Sequence, residues 1–179
     1  LLKSSDVDNN AEIWRYKKDG SQGWQKVYKA SSPDKIYGFR FMITHKSKNS
    51  TDALYAAPID GSGSISILKS TDGINWFKVD SKLEGNATRS IVSFNGKLYI
   101  STMNDFSTNQ NPLLYSSEDP EFYDFESIIN IDDPNYIKEK NPTSLIVDMA
   151  VFNNRLYVTT IGEEGMEVWR SNSSTVKMN

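Results

Sequence analysis

A short apolar strand occurs four times in this chain, and that repetition constrains the fold more than any other feature. Glu12-Ile13-Trp14-Arg15 returns as Glu167-Val168-Trp169-Arg170, with Ile67-Leu68-Lys69-Ser70 and Leu113-Leu114-Tyr115-Ser116 between them. Ile13, Ile67, Leu113 and Val168 are then separated by 54, 46 and 55 residues. A period of roughly 50 belongs to stacked supersecondary units, each too small to bury its apolar face alone.

The neighbouring segments repeat as well. The first two copies run through Asp19-Gly20 and Asp72-Gly73 into aromatic strands at Trp24-Gln25-Lys26-Val27 and Trp76-Phe77-Lys78-Val79. The third runs through Glu118-Asp119-Pro120 to Phe125-Glu126-Ser127-Ile128. Asp-Gly between two short apolar strands is a hairpin signal. Ahead of copies two to four stands a Leu-Tyr strand: Ala53-Leu54-Tyr55-Ala56, Lys97-Leu98-Tyr99-Ile100 and Arg155-Leu156-Tyr157-Val158. Each follows an earlier strand, at 39–44, 89–94 and 147–152, and Asn95-Gly96 and Asn153-Asn154 supply turns where positive φ is tolerated.

Each unit is therefore a four-stranded antiparallel meander of about 45 to 55 residues, which is the blade of a β-propeller. The expected fold is all-β, with about three and a half blades and an incomplete ring. Residues 1–30 form the outer half of a blade, 36–80 and 88–129 whole blades, and 143–179 most of another. No window sustains apolar residues at helical spacing over three turns, and Pro134 and Pro142 make 132–140 an insertion loop. An open ring has exposed ends, so the expected partner is a second copy or a missing propeller segment.

Composition narrows the function classes. Apolar residues make up 37%, and four Trp and nine Tyr favour packed strands over disorder. The net charge of −3 is spread along the chain without a basic run, which argues against nucleic acid. No apolar stretch reaches the roughly 20 residues of a membrane span. Without cysteine there is no disulfide, thiolate metal site or cysteine nucleophile, and no cofactor is expected. Asp6, Asp8, Asn9 and Asn10 lack the glycine and glutamate of a calcium loop and read as surface.

Ser70-Thr71-Asp72-Gly73-Ile74-Asn75-Trp76 resembles the Asp-box, or BNR repeat, of sialidase-like propellers, one residue shorter than Ser-x-Asp-x-Gly-x-x-Trp. Gly38-Phe39-Arg40-x-Met42, Phe94-Asn95-Gly96-Lys97-Leu98-Tyr99 and Ala11-Glu12-Ile13-Trp14-Arg15 are similar to propeller repeats of bacterial and archaeal secreted or surface proteins. The resemblance implies an extracellular or cell-surface location. It also implies a structural role for Ser70, Asp72, Gly73 and Trp76, because a turn aspartate bonds its own backbone.

A sialidase would, by the same resemblance, need an arginine cluster, a Tyr–Glu nucleophile pair and an acid. The chain has five arginines and no Arg-Ile-Pro motif. Arg15 and Arg170 sit on outer strands and Arg155 opens a Leu-Tyr strand, which leaves Arg40 and Arg89 aligned on the first strands of successive units. Val147 takes that position in the next unit, with Asp148 beside it. His45, the single histidine, has only the loop serines Ser47 and Ser50 near it in sequence, which are poor candidates for a nucleophile. Arg40, Arg89, His45 and Asp148 are the ligand-binding candidates, and no residue is assigned a catalytic role. Glu163, Glu164 and Glu167 read as a solvated loop, and Tyr123, Tyr136, Phe106 and Asn104 as loop positions suited to stacking on sugars.

The reading that follows is a non-catalytic propeller that recognises a glycan or a protein. The alternatives are a fragment of a glycoside hydrolase of sialidase type, or a purely structural surface repeat.

Overall fold

The computed structural model describes residues 10–31, 36–47, 51–60, 65–104 and 110–172. Asp6, Asp8, Asn9 and Phe106 lie outside them. The described chain is all-β and antiparallel. Sheet I pairs β1 (Glu12–Tyr16) with β2 (Trp24–Lys29). Sheet II runs through β3 (Ile36–His45), β4 (Ala53–Asp60), β5 (Ile65–Ser70) and β6 (Phe77–Leu83), each pairing with the next. Sheet III does the same with β7 (Ala87–Phe94), β8 (Lys97–Met103), β9 (Leu113–Ser117) and β10 (Glu126–Ser127). Sheet IV comprises β11 (Leu145–Phe152), β12 (Arg155–Gly162) and β13 (Gly165–Arg170). A single pair, Ile59↔Ala87, joins sheets II and III into one surface curled as a half-barrel.

The hairpins follow from local chemistry. Asn95-Gly96 adopts φ of 47° and 75°, and Asn153-Asn154 φ of 46° and 56°. Two successive positive φ values match the strand twist in a two-residue turn, and Asn and Gly bear them at low steric cost. Between β10 and β11 the insertion loop closes with a single 3₁₀ turn, Lys138–Lys140. Among the described residues no helix is long and apolar enough to cross a membrane.

Packing between sheets builds the core. Ile13 of sheet I meets Ala56 and Leu68 of sheet II, with Trp76 against them. Tyr55, Ile65 and Ile67 of sheet II meet Leu98, Ile100, Tyr115 and Phe125 of sheet III. Tyr99 and Leu114 of sheet III meet Met149, Leu156 and Val158 of sheet IV, with Trp169 alongside. Each inner sheet thus buries both faces, one against the sheet before it and one against the sheet after.

The register corrects the alignment of the third repeat by one residue. Leu54 faces Ser70, whereas the equivalent Leu98 faces Ser117 rather than Ser116. Asp119 therefore stands where Asp72 stands, and Leu114 where Ile67 does. The two adjacent serines hid the offset. Glu167 is likewise a strand residue rather than part of a solvated loop: its Oε2 accepts Trp169 Nε1–H at 3.0 Å, as Glu12 accepts Trp14 Nε1–H at 2.9 Å.

Candidate ligand-binding site on the first strands

Three bulges recur at one position. The ladder β3–β4 skips a residue between Phe39 and Phe41, β7–β8 between Thr88 and Ser90, and β11–β12 between Ile146 and Asp148. The skipped residues are Arg40, Arg89 and Val147. A bulge frees one residue from the alternation of the strand and re-aims its side chain. Strand β7 packs against both β3 and β11, so Arg89 lies on the middle of three neighbouring first strands.

Arg40 and Asp148 both act on the charge of Arg89. Arg89 is held below the ordinary guanidinium value, first by desolvation and then by the positive charge of Arg40, while Asp148 opposes the shift. The Asp148 carboxylate is fixed in place: Oδ1 accepts Ser90 Oγ–H at 2.9 Å and the Met149 N–H at 2.8 Å. Ser90 Oγ also accepts the Met149 N–H at 3.1 Å, which ties β7 to β11. Arg40, Arg89 and Asp148 are thus brought together.

His45 is not brought to that row. It sits five residues beyond Arg40, on the order of 15 Å along an extended strand. Its side chain is 1% exposed. Nε2 lies 3.0 Å from the Glu118 carbonyl and Nδ1 2.8 Å from Ser93 Oγ. A carbonyl only accepts, so Nε2 carries the proton in that bond. Both ring nitrogens are engaged within the protein.

Around His45 lies a polar cluster that sequence reasoning missed. The Lys69 ammonium donates to Asp119 Oδ1 at 3.1 Å and to Glu121 Oε2 at 2.7 Å. Tyr55 Oη–H and Ser47 Oγ–H donate to the same aspartate at 3.3 and 3.1 Å. Burial pulls the Lys69 pKa down, yet the bonds to Glu121 and Asp119 outweigh it and hold it above the ordinary lysine value. Burial raises Asp119, but Lys69 and the Glu121 N–H more than offset that and leave it below the usual carboxylate range. Tyr55 is pushed up to about 12, by burial first and then by the Asp119 charge. The cluster joins sheet II to the β9–β10 turn and is a satisfied structural junction. A lysine among the apolar and small residues of the strand Ile65–Ser70 was the signal for it, since a buried ammonium requires an acid.

The turn after β5 is closed by Asp72. Oδ1 accepts the N–H groups of Ile74 and Asn75, both at 2.8 Å, and Ser70 Oγ–H at 3.1 Å. Oδ2 accepts Asn75 Nδ2–H at 2.7 Å, and Ser70 Oγ accepts the Gly73 N–H at 2.9 Å. The Asn75 and Ile74 N–H groups hold the Asp72 carboxyl well below the usual range. Gly73 has φ of +69°. Trp76 packs beneath the turn against Ile13, Ala56 and Leu68. In sheet III the equivalent Asp119 Oδ1 still accepts the Glu121 N–H at 3.2 Å, while the carboxylate also reaches across to Lys69. Of the loop aromatics, Tyr123 is exposed and Tyr136 donates to the Pro142 carbonyl at 3.0 Å.

No protein-family model and no curated protein sequence matches the chain. Among solved structures it is similar to the computationally designed Ika4 protein, at 10% identity and a TM-score of 0.42 over 94% of this chain and 92% of that one.

Proposed function

We propose that the four sheets are blades of a partial β-propeller and that the chain is a non-catalytic recognition module for an anionic ligand, a glycan or a protein segment. Two four-stranded meanders of like order, flanked by a two- and a three-stranded sheet, support the propeller reading. The Ser70–Asp72–Gly73 turn with Trp76 beneath it supports the Asp-box reading. The secreted or surface location implied by that resemblance belongs to the same proposal.

One observation carries the function: the recurrent bulge that puts Arg40 and Arg89 at equivalent positions of adjacent strands. Like charges set side by side cost stability, and a carboxylate bridging two guanidinium groups recovers it through charge-assisted hydrogen bonds. Bulges are over-represented at sheet edges, at barrel rims and next to active sites, where they re-aim a side chain.

Isothermal titration against carboxylate-bearing glycans and acidic peptides, each beside its neutral counterpart, tests this. Saturable binding to an acidic member is expected, weakened about tenfold or more in Arg40→Ala and Arg89→Ala and by added salt. Binding indifferent to both arginines would refute it. Turnover of a sialoside that disappears in Arg40→Ala would replace the binding module with an enzyme.

A further inference from the structure

The two outer sheets expose the faces that every inner sheet buries. Ile67 and Leu114, equivalent in register, are 0% exposed because sheets III and IV cover them. Val168 holds that same position in sheet IV and is 72% exposed, with Met166 beside it at 75%. On the opposite face, Phe125 of sheet III and Trp76 of sheet II stand where Trp24 stands in sheet I. Phe125 is 7% exposed against sheet II, whereas Trp24 is 67% exposed, with Trp14 and Tyr16 also open. Sheet IV therefore presents the face that a following sheet covers, and sheet I presents the face that does the covering.

Charge matches the same pairing. At the junction of sheets II and III the ion pair is Lys69 of β5 with Asp119 of the β9–β10 turn. Arg170 occupies the Lys69 position in sheet IV, opposite Tyr157, which occupies the Tyr55 position. The corresponding turn of sheet I, between β1 and β2, carries Asp19. Cation and aromatic wait on one outer face, and the acid-bearing turn on the other.

We infer that sheet IV of one chain docks on sheet I of a second copy, head to tail, repeating the internal sheet-to-sheet junction. Val168 and Met166 pack against Trp14 and Trp24 of that copy, and Arg170 meets its Asp19. The contact is heterologous, so two copies bury all four outer faces if the ring closes.

Light scattering across a concentration series reads it. The mass should rise from 20.3 kDa toward a dimer or larger. Val168→Asp and Trp24→Ser each change an exposed residue and should raise the dissociation constant about tenfold or more. Circular dichroism identical to that of the parent chain verifies that both variants are folded. Mixed together they should re-associate, because the intact sheet I of one meets the intact sheet IV of the other. A mass of 20.3 kDa at all concentrations overturns the inference, as does an oligomer that survives both substitutions or one that mixing fails to restore.

Discussion

The Lys69 ammonium lies 3.1 Å from the Asp119 carboxylate with 3% and 5% of the two side chains exposed, a buried ion pair between residues fifty positions apart. Removing one member leaves the other charge desolvated. Asp119→Ala should therefore cost about 3 kcal/mol in urea unfolding, whereas Glu121→Gln, at the exposed end of the cluster, should cost under about 1 kcal/mol. Lys69→Met combined with Asp119→Leu should cost clearly less than the two single changes summed, because the pair is replaced rather than broken.

The same cluster shapes the pH dependence of stability. Asp119 titrates lower in the folded chain, so its contribution is present above about pH 4 and is lost as pH falls through its depressed value. Tyr55 titrates higher, at about 12, so stability is complete below about pH 10 and declines between pH 10 and 12. Lys69, also raised, adds to that alkaline decline. Denaturation midpoints across pH should show a plateau between the two limbs. Asp119→Asn should flatten the acid limb and Tyr55→Phe the alkaline one; limbs unchanged in both variants would place the titration elsewhere.

Arg40 and Arg89 make an opposite prediction for stability and binding. Because the Arg40 charge adds to the desolvation that disfavours the Arg89 charge, Arg40→Gln should stabilise the folded chain by under about 0.5 kcal/mol at low salt, and the gain should fade as salt screens the pair. The same variant should bind the anionic ligand less well. A destabilised Arg40→Gln chain would mean that Arg40 serves packing instead.

Gly85 gives a backbone test. Its φ is +108°, and a Cβ there would sit 2.8 Å from the Met103 carbonyl oxygen. Neither the backbone angle nor that neighbour can relax freely, since the Asn86 N–H also bonds the Met103 carbonyl at 2.7 Å. Gly85→Ala should lower stability by about 1 to 3 kcal/mol, read from the thermal midpoint. Gly23→Ala, where a Cβ meets nothing within 4 Å, should lose less, from its positive φ alone.

The repeat, the strand order within each unit and the turns at Asn95-Gly96 and Asn153-Asn154 were legible in the residues themselves. These features depend on local periodicity and on φ preferences, which neighbours in sequence dictate. The alignment of Arg40, Arg89 and Val147 was legible for the same reason. Tertiary structure alone decided that these three are bulged, that Ser117 rather than Ser116 matches Ser70, and that Asp119 reaches Lys69. It also decided that His45 is enclosed between Ser93 and Glu118 instead of standing beside the arginines. Each of those outcomes depends on which sheet packs against which face. That choice is made by burial across fifty residues of chain, and no window of sequence carries it.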